Sequence, residues 1–275
     1  MFKRLNVKEW RQFSDVDIVF HEHLTVLTGA NGAGKTTILN LLSKSTGWNP
    51  QFVSSCEKDE RGVTKYFNSL KSLKSLGRRF FIKKETLDES AENKLGELEF
   101  DDGTIGDLVL PNSVKNGTYE IEIRKGKMEK GVYVSSHRPN FPYKEVKSVP
   151  TTVATRQQIY NKYNEFNKSF VFDTYRNADE VSATSLIKET LASLAIFGYG
   201  NQSVSQNETA RELFEGYIDI LKIVLPPKLG FEKIVVDIPE VMLCTKTGNF
   251  PIVAVSGGIS SIIDITWQLY MFSDV

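Results

Sequence analysis

Cysteine is nearly absent. Cys56 and Cys244 are the only two in 275 residues, far apart and without CxxC spacing, which excludes a disulfide framework and leaves no zinc-site signal. A reduced, cytoplasmic setting fits that usage. Net charge is missing too: 34 Lys+Arg stand against 34 Asp+Glu. A surface built throughout for nucleic acid or anionic lipid is therefore excluded, although a local basic patch would survive the average. No apolar run approaches the ~18 residues of a membrane span. The opening MFKRLNVKEW interrupts its apolar residues with charges, so it lacks the apolar region of a signal peptide and no membrane association is expected. There is no internal repeat, no low-complexity tract and no sustained heptad pattern, which rules out a long coiled-coil arm within the chain. What remains, at 40% hydrophobic and 11% aromatic residues, is an ordinary globular composition with length for about two domains.

The most informative stretch is HEHLTVLTGANGAGKTTILNLLSK. A short apolar strand is predicted over Leu24 to Leu27. It runs into Gly29-Ala30-Asn31-Gly32-Ala33-Gly34-Lys35-Thr36 and then into an apolar-periodic helix. This is GxxxxGK[ST] between a strand and a helix, the P-loop pattern. Glycines at 29, 32 and 34 let the backbone curl so that successive N–H groups point at a phosphate, and the helix opening at Lys35 adds its positive end. The predicted nucleotide contacts are Asn31, Gly32, Ala33, Gly34, Lys35, Thr36 and Thr37. Lys35 would reach the β- and γ-phosphates, Thr36 would place its hydroxyl on Mg²⁺, and Thr37 would donate to the α-phosphate.

Ahead of the loop, Leu5-Asn6-Val7 reads as a strand, Trp10-Arg11-Gln12-Phe13 as a corner, and Val16 to Phe20 as an alternating second strand. Strand, WRQF corner, strand and P-loop in that order resemble the amino end of ABC-superfamily ATPase heads of the SMC, RecF and OLD-like branch, AAA-type ATP-binding proteins whose corner usually reads NFR.F. The resemblance implies that Arg11 lies near the bound nucleotide, where a guanidinium can stack on a base or fork onto a phosphate. A solvated surface arginine is the plain alternative. The implied fold class is α/β: a P-loop NTPase with a parallel core sheet, an antiparallel β subdomain and a helical lobe.

From Arg61 to Lys84 the chain holds eight basic residues and no acid, and from Glu85 to Asp107 nine acids and one Lys94. Phe67, Leu70, Leu73 and Leu76 at three-residue spacing predict an amphipathic helix. Its lysines form a solvated face, or answer the acidic run beside it, or contact DNA or RNA phosphates with Tyr66, Phe80 and Phe81 stacking. Strands are expected over Leu95 to Phe100, Thr104 to Leu110, Tyr119 to Arg124 and Val132 to Ser135, with hairpin signals at Asp101-Asp102-Gly103 and Asn116-Gly117. Where the ABC pattern places a glutamine, this chain has Ser136-His137-Arg138, weak candidates for γ-phosphate neighbours. Helices are expected over Thr151 to Glu165, Asn177 to Phe197 and Gln206 to Leu225, the last closed by Pro226-Pro227.

Near the end, an apolar strand, Pro251 to Val255, leads through Ser256-Gly257-Gly258 into a helix through Tyr270. A serine and two glycines at a helix start expose N–H groups to an anion. The sequence resembles the ABC signature LSGGQ, with Val255 for Leu and Ile259 for Gln, although any serine-capped helix after a glycine turn would match. If both motifs hold, the resemblance implies a homodimer sandwiching ATP, the signature of one head closing on the γ-phosphate held by the other. The family's Walker B strand, four apolar residues and then Asp-Glu, is not found. Phe170 to Asp173 and Ile234 to Asp237 imitate it without the glutamate and ahead of the signature, and the second reads better as one arm of a hairpin turning at Thr247-Gly248-Asn249.

The domain reading follows. Residues 1–50 carry the first part of the P-loop core, 51–130 the basic helix and antiparallel insert, 131–230 a central strand and helical lobe, and 231–275 the hairpin and signature-like helix, all of one discontinuous head. The chain is expected to be the amino-terminal portion of a longer ATPase, binding ATP and hydrolysing it poorly or not at all. Its expected role is to drive an effector protein, a nuclease or a nucleic-acid-directed activity in DNA repair or anti-phage defence. A nucleotide-sensing module without turnover and a transporter ATPase subunit are the alternatives.

Overall fold

Leu5 and Val7 alternate with Arg4, Asn6 and Lys8, and that period of two gives β1 (Phe2–Trp10) one buried and one solvated face. Antiparallel to it run β2 (Phe13–Val19), with Leu5 opposite Ile18, and β6 (Lys94–Phe100), with Leu5 opposite Leu98. The next strands are β7 (Ile105–Val109) and β9 (Glu122–Arg124), completing a five-stranded sheet in the order β2-β1-β6-β7-β9. Helix α1 (Lys35–Ser43) contributes Ile38, Leu41 and Leu42 to one core with Leu5, Val7, Leu98, Phe100 and Leu108 of the sheet. Each such side chain buried stabilises the fold by about 1.5–3 kcal/mol. On the solvated face Arg4 forks onto Asp17, its Nε 2.7 Å from Oδ1, and Lys3 meets Glu99 at 2.5 Å.

This computed structural model describes residues 1–58, 62, 64–67, 93–111, 114, 117–136, 141–172 and 182–273. The chain divides into two units, Met1–Tyr133 and Val134–Val275. The first also holds two short antiparallel ladders. One joins β3 (Phe52–Val53) to β8 (Thr118–Tyr119), the other β4 (Ser55–Lys58) to β5 (Thr64–Phe67). The predicted strand from Tyr119 to Arg124 is thus two strands, because β8 pairs with β3 while β9 pairs with β7.

In the second unit, α2 (Arg156–Phe172), α3 (Ala183–Tyr199), α4 (Glu208–Val224) and α5 (Gly257–Phe272) accompany a meander of β10 (Phe231–Asp237), β11 (Glu240–Thr245) and β12 (Gly248–Pro251). Ser182 and Ser185 form a reciprocal capping box at the start of α3, and Asn207 caps α4 through the Ala210 N–H at 3.0 Å. Tyr217 sits edge-on to Trp267 at 5.0 Å, and its hydroxyl donates to the Ile263 carbonyl at 3.1 Å. Asp264, 1% exposed, accepts from the Tyr163 hydroxyl at 2.6 Å and from Gln268 Nε2 at 3.1 Å. Burial first, then the nearby carboxylate, holds the Tyr163 and Tyr217 hydroxyls well above the ordinary phenol range. Lys188, fully buried, reaches the Lys144 carbonyl at 2.5 Å and Glu240 at 2.7 Å, tying α3 to β11.

Five expectations are not met among the described residues. No parallel sheet occurs among the described residues, where every strand pairing is antiparallel. Leu24 to Leu27 carries no strand ladder among the described residues, and Leu24 and Val26 are 72% and 68% exposed. Phe67 closes β5 of a hairpin and does not open a helix, since Thr64 to Phe67 pair with Ser55 to Lys58. The rest of the basic run lies outside the described residues. Val132 to Ser135 also forms no ladder, and the strand predicted over Pro251 to Val255 ends at Pro251. Ile234 to Asp237 lies in the meander, whose second turn falls between Thr245 and Gly248, and Phe170 to Phe172 is helical.

Candidate nucleotide-binding site

The P-loop occupies the segment that enters α1, and its three glycines take backbone angles that other residues resist: φ is 143° at Gly29, 84° at Gly32 and 95° at Gly34. Gly34 is the residue before the helix and offers no side-chain cap. The first intrahelical bond of α1 runs from the Ile38 N–H to the Gly34 carbonyl at 3.0 Å, leaving the N–H groups of Lys35, Thr36 and Thr37 unspent by the helix. No acid stands in that first turn to compensate them. Unpaired amides plus the positive end of a helix make an anion site.

Lys35 lies over this cup. Its ammonium donates to the Gly29 carbonyl at 2.7 Å and the Ala30 carbonyl at 2.9 Å. The loop is braced internally by the Ala33 N–H on the Ala30 carbonyl at 3.2 Å. Asn31, Gly32, Ala33 and Thr36 are exposed, and Gly34 and Thr37 are half-buried. The far end of α1 is fixed by the Tyr133 hydroxyl donating to Asn40 Oδ1 at 2.6 Å. The P-loop residues Asn31 to Thr37 are thus brought together on one rim.

Arg11 sits on the neighbouring β1–β2 corner. Its guanidinium is 3.4 Å from the Val53 carbonyl and 5.9 Å from the Trp10 ring centre. The residues that reach the loop are the next two: a Cβ on Gly34 would stand 2.4 Å from both Gln12 Nε2 and Phe13 Cζ. Sequence reasoning passed over Gln12 and Phe13. The available signal was their place in the corner itself, directly after the arginine.

Ser256, Gly257 and Gly258 open α5 in the second unit. Ser256 Oγ accepts from the Ile259 N–H at 3.5 Å, and among the described residues nothing lies within 4 Å of where a Cβ would stand on either glycine. This helix start is open ground. Of the γ-phosphate candidates, Ser136 is exposed, and His137 and Arg138 lie outside the described residues.

The family model described as AAA domain matches residues 4–225, most of the chain. The chain belongs to the AAA domain family. It is an AAA-type P-loop ATPase-like domain, and the family suggests ATP-binding ATPase activity. The match takes in both sides of the P-loop and ends ahead of β10 and Ser256. Among the described residues, no group of three or more His, Cys, Asp or Glu side chains could hold a metal ion, and no helix is long and apolar enough to cross a membrane. The Mg²⁺ typical of the family fits the first turn of α1, where the exposed Thr36 hydroxyl makes no hydrogen bond among the described residues and would hold the ion together with the nucleotide's own oxygens. Bound there, the ion supplies charge neutralisation at the phosphates.

Proposed function

We propose that this AAA domain is an ATP-operated head of the ABC type, in the SMC, RecF and OLD-like branch. The observation that carries the reading is the uncapped start of α1 behind three left-handed glycines, with Lys35 parked on the loop's own carbonyls. Lys35 turns from those carbonyls to the phosphate tail, and the freed amides of residues 35 to 37 orient it. Two copies then close on the nucleotide, with Ser256, Gly257 and Gly258 of one facing the γ-phosphate held by the other. Binding energy spent across that interface makes ATP an adhesive, and loss of the γ-phosphate lets the heads part. The work of the cycle goes to an effector protein, a nuclease or nucleic acid, in DNA repair or anti-phage defence. The basic run Arg61 to Lys84 is the proposed contact for DNA or RNA.

Turnover is expected to be slow. The two Walker B imitations lack the adjoining glutamate: Phe170 to Phe172 is helical with Asp173 outside the described residues, and Asp237 is exposed on a meander strand. A sensing role without hydrolysis is the second reading that this observation favours.

Two variants test the proposal together. Lys35→Ala should lower ATP affinity by at least about a hundredfold, the order for removing a charge-assisted phosphate contact and its steering. Ser256→Arg should leave affinity of the monomer intact and abolish the ATP-dependent dimer in sedimentation. Normal affinity in the first variant would remove the site assignment; normal dimers in the second would remove the signature.

A further inference from the structure

The β1–β2 corner is built at a cost. Glu9 and Arg11 both hold left-handed backbone angles, φ 48° and 51°, a conformation that costs a residue with a side chain of order 1 kcal/mol. Three fastenings maintain it. Trp10, fully buried, donates from Nε1 to the Tyr119 hydroxyl at 2.9 Å, and its ring packs edge-on to Phe52 at 5.1 Å. Arg11 reaches across to the Val53 carbonyl at 3.4 Å. So β3 and β8 hold the corner from behind, and what it presents in front is Gln12 and Phe13, against the last glycine of the P-loop.

The two presented residues differ. Phe13 is half-buried, packs on Trp10 at 6.0 Å and closes the side of Gly34 with an apolar ring. Gln12 is exposed and makes no hydrogen bond among the described residues. An exposed carboxamide with nothing to satisfy gains little by lying against a glycine, so packing alone does not account for its place. It stands beside the uncapped first turn of α1, carrying two N–H donors and no charge. Arg11, the guanidinium of the same corner, is drawn back toward Val53 and Trp10.

We infer that Gln12 is a nucleotide contact, its carboxamide N–H donating to a phosphate oxygen of the ATP held by the loop. The inference rests on the P-loop reading and adds to it a donor from outside the loop. Because it touches phosphate and not base, it acts on nucleoside di- and triphosphates whatever their base.

The test is nucleotide binding by calorimetry on the full chain, with ATP, ADP and GTP in magnesium buffer, alongside thermal melting without nucleotide. Gln12→Ala should weaken all three by about tenfold, the order for one charge-assisted hydrogen bond. Gln12→Glu keeps the shape and sets a negative charge beside the phosphates. It should weaken them by about a hundredfold at low salt, with part of the loss relieved as salt rises. Both variants should melt with the wild type, since no fold contact is lost; Arg11→Ala, which removes a fastening, should melt lower. Gln12→Glu binding ATP as tightly as the wild type would overturn the inference, as would losses matched by an equal fall in nucleotide-free melting temperature. If the wild type binds ATP and Lys35→Ala does not, such a result removes Gln12 alone. If the wild type fails to bind, the P-loop reading falls and Gln12 with it.

Discussion

Gly34 shows how much rests on one position. Its φ of 95° is poorly tolerated by any side chain, and a Cβ there would stand 2.4 Å from Gln12 Nε2 and Phe13 Cζ. Gly34→Ala should therefore push the loop off the corner and weaken ATP binding by at least about tenfold, while melting falls only modestly because the change is local; calorimetry beside thermal melting checks both. The need for glycine here was legible from the motif, since glycines 29, 32 and 34 with Lys35 and Thr36 specify the curl and its charge by spacing alone. What presses on Gly34 was not legible. The contact joins residues more than twenty positions apart in sequence, and only the left-handed turn at Glu9 and Arg11 directs Gln12 to it. Neither residue type announces such a turn.

At the scale of elements, periodicity served well where one face is buried. The alternation in β1 and β2 and the stop at Pro226-Pro227 recur within a few residues in the strands and helices. It failed where pairing partners decide. Leu24 to Leu27 has a strand's composition and no ladder among the described residues, and Phe67 has helical spacing yet pairs in a hairpin. Composition does not choose a strand's neighbour. Lys188 could not be anticipated either, because a lysine inside a helix reads as a surface residue until tertiary contacts bury it. Its ammonium on Glu240 and the Lys144 carbonyl links two elements, and removing one partner of a buried pair strands the other. Lys188→Ala should cost the second unit about 3 kcal/mol in chemical denaturation, whereas Lys188→Met combined with Glu240→Leu should recover most of it.

For the whole molecule, the even balance of charge conceals ordered pairing in the first unit. Asp17 is held below the usual carboxylate range chiefly by its hydrogen bonds from Arg4, Asp101 by the Met1 amine and Asp107 by Lys94. A depressed carboxylate favours the folded state above its unfolded pKa, near ~4, and that contribution is lost as pH falls through the lower folded value. Melting temperature should thus hold steady from neutrality down to about pH 4 and drop below it, less steeply in high salt, because these pairs are exposed. A profile that stays level as pH falls well below about 4 would contradict that assignment. Lys35 sets another condition on the molecule. Its two bonds to Gly29 and Ala30 amount to an entry threshold: a visiting anion must offer more than the carbonyls it displaces. In the proposed site, chloride or a lone sulfate would bring little multivalence to that exchange, whereas a chain of linked phosphates would engage lysine, amides and hydroxyl at once. The resting lysine thereby screens arrivals by how many oxygens they bring in a row.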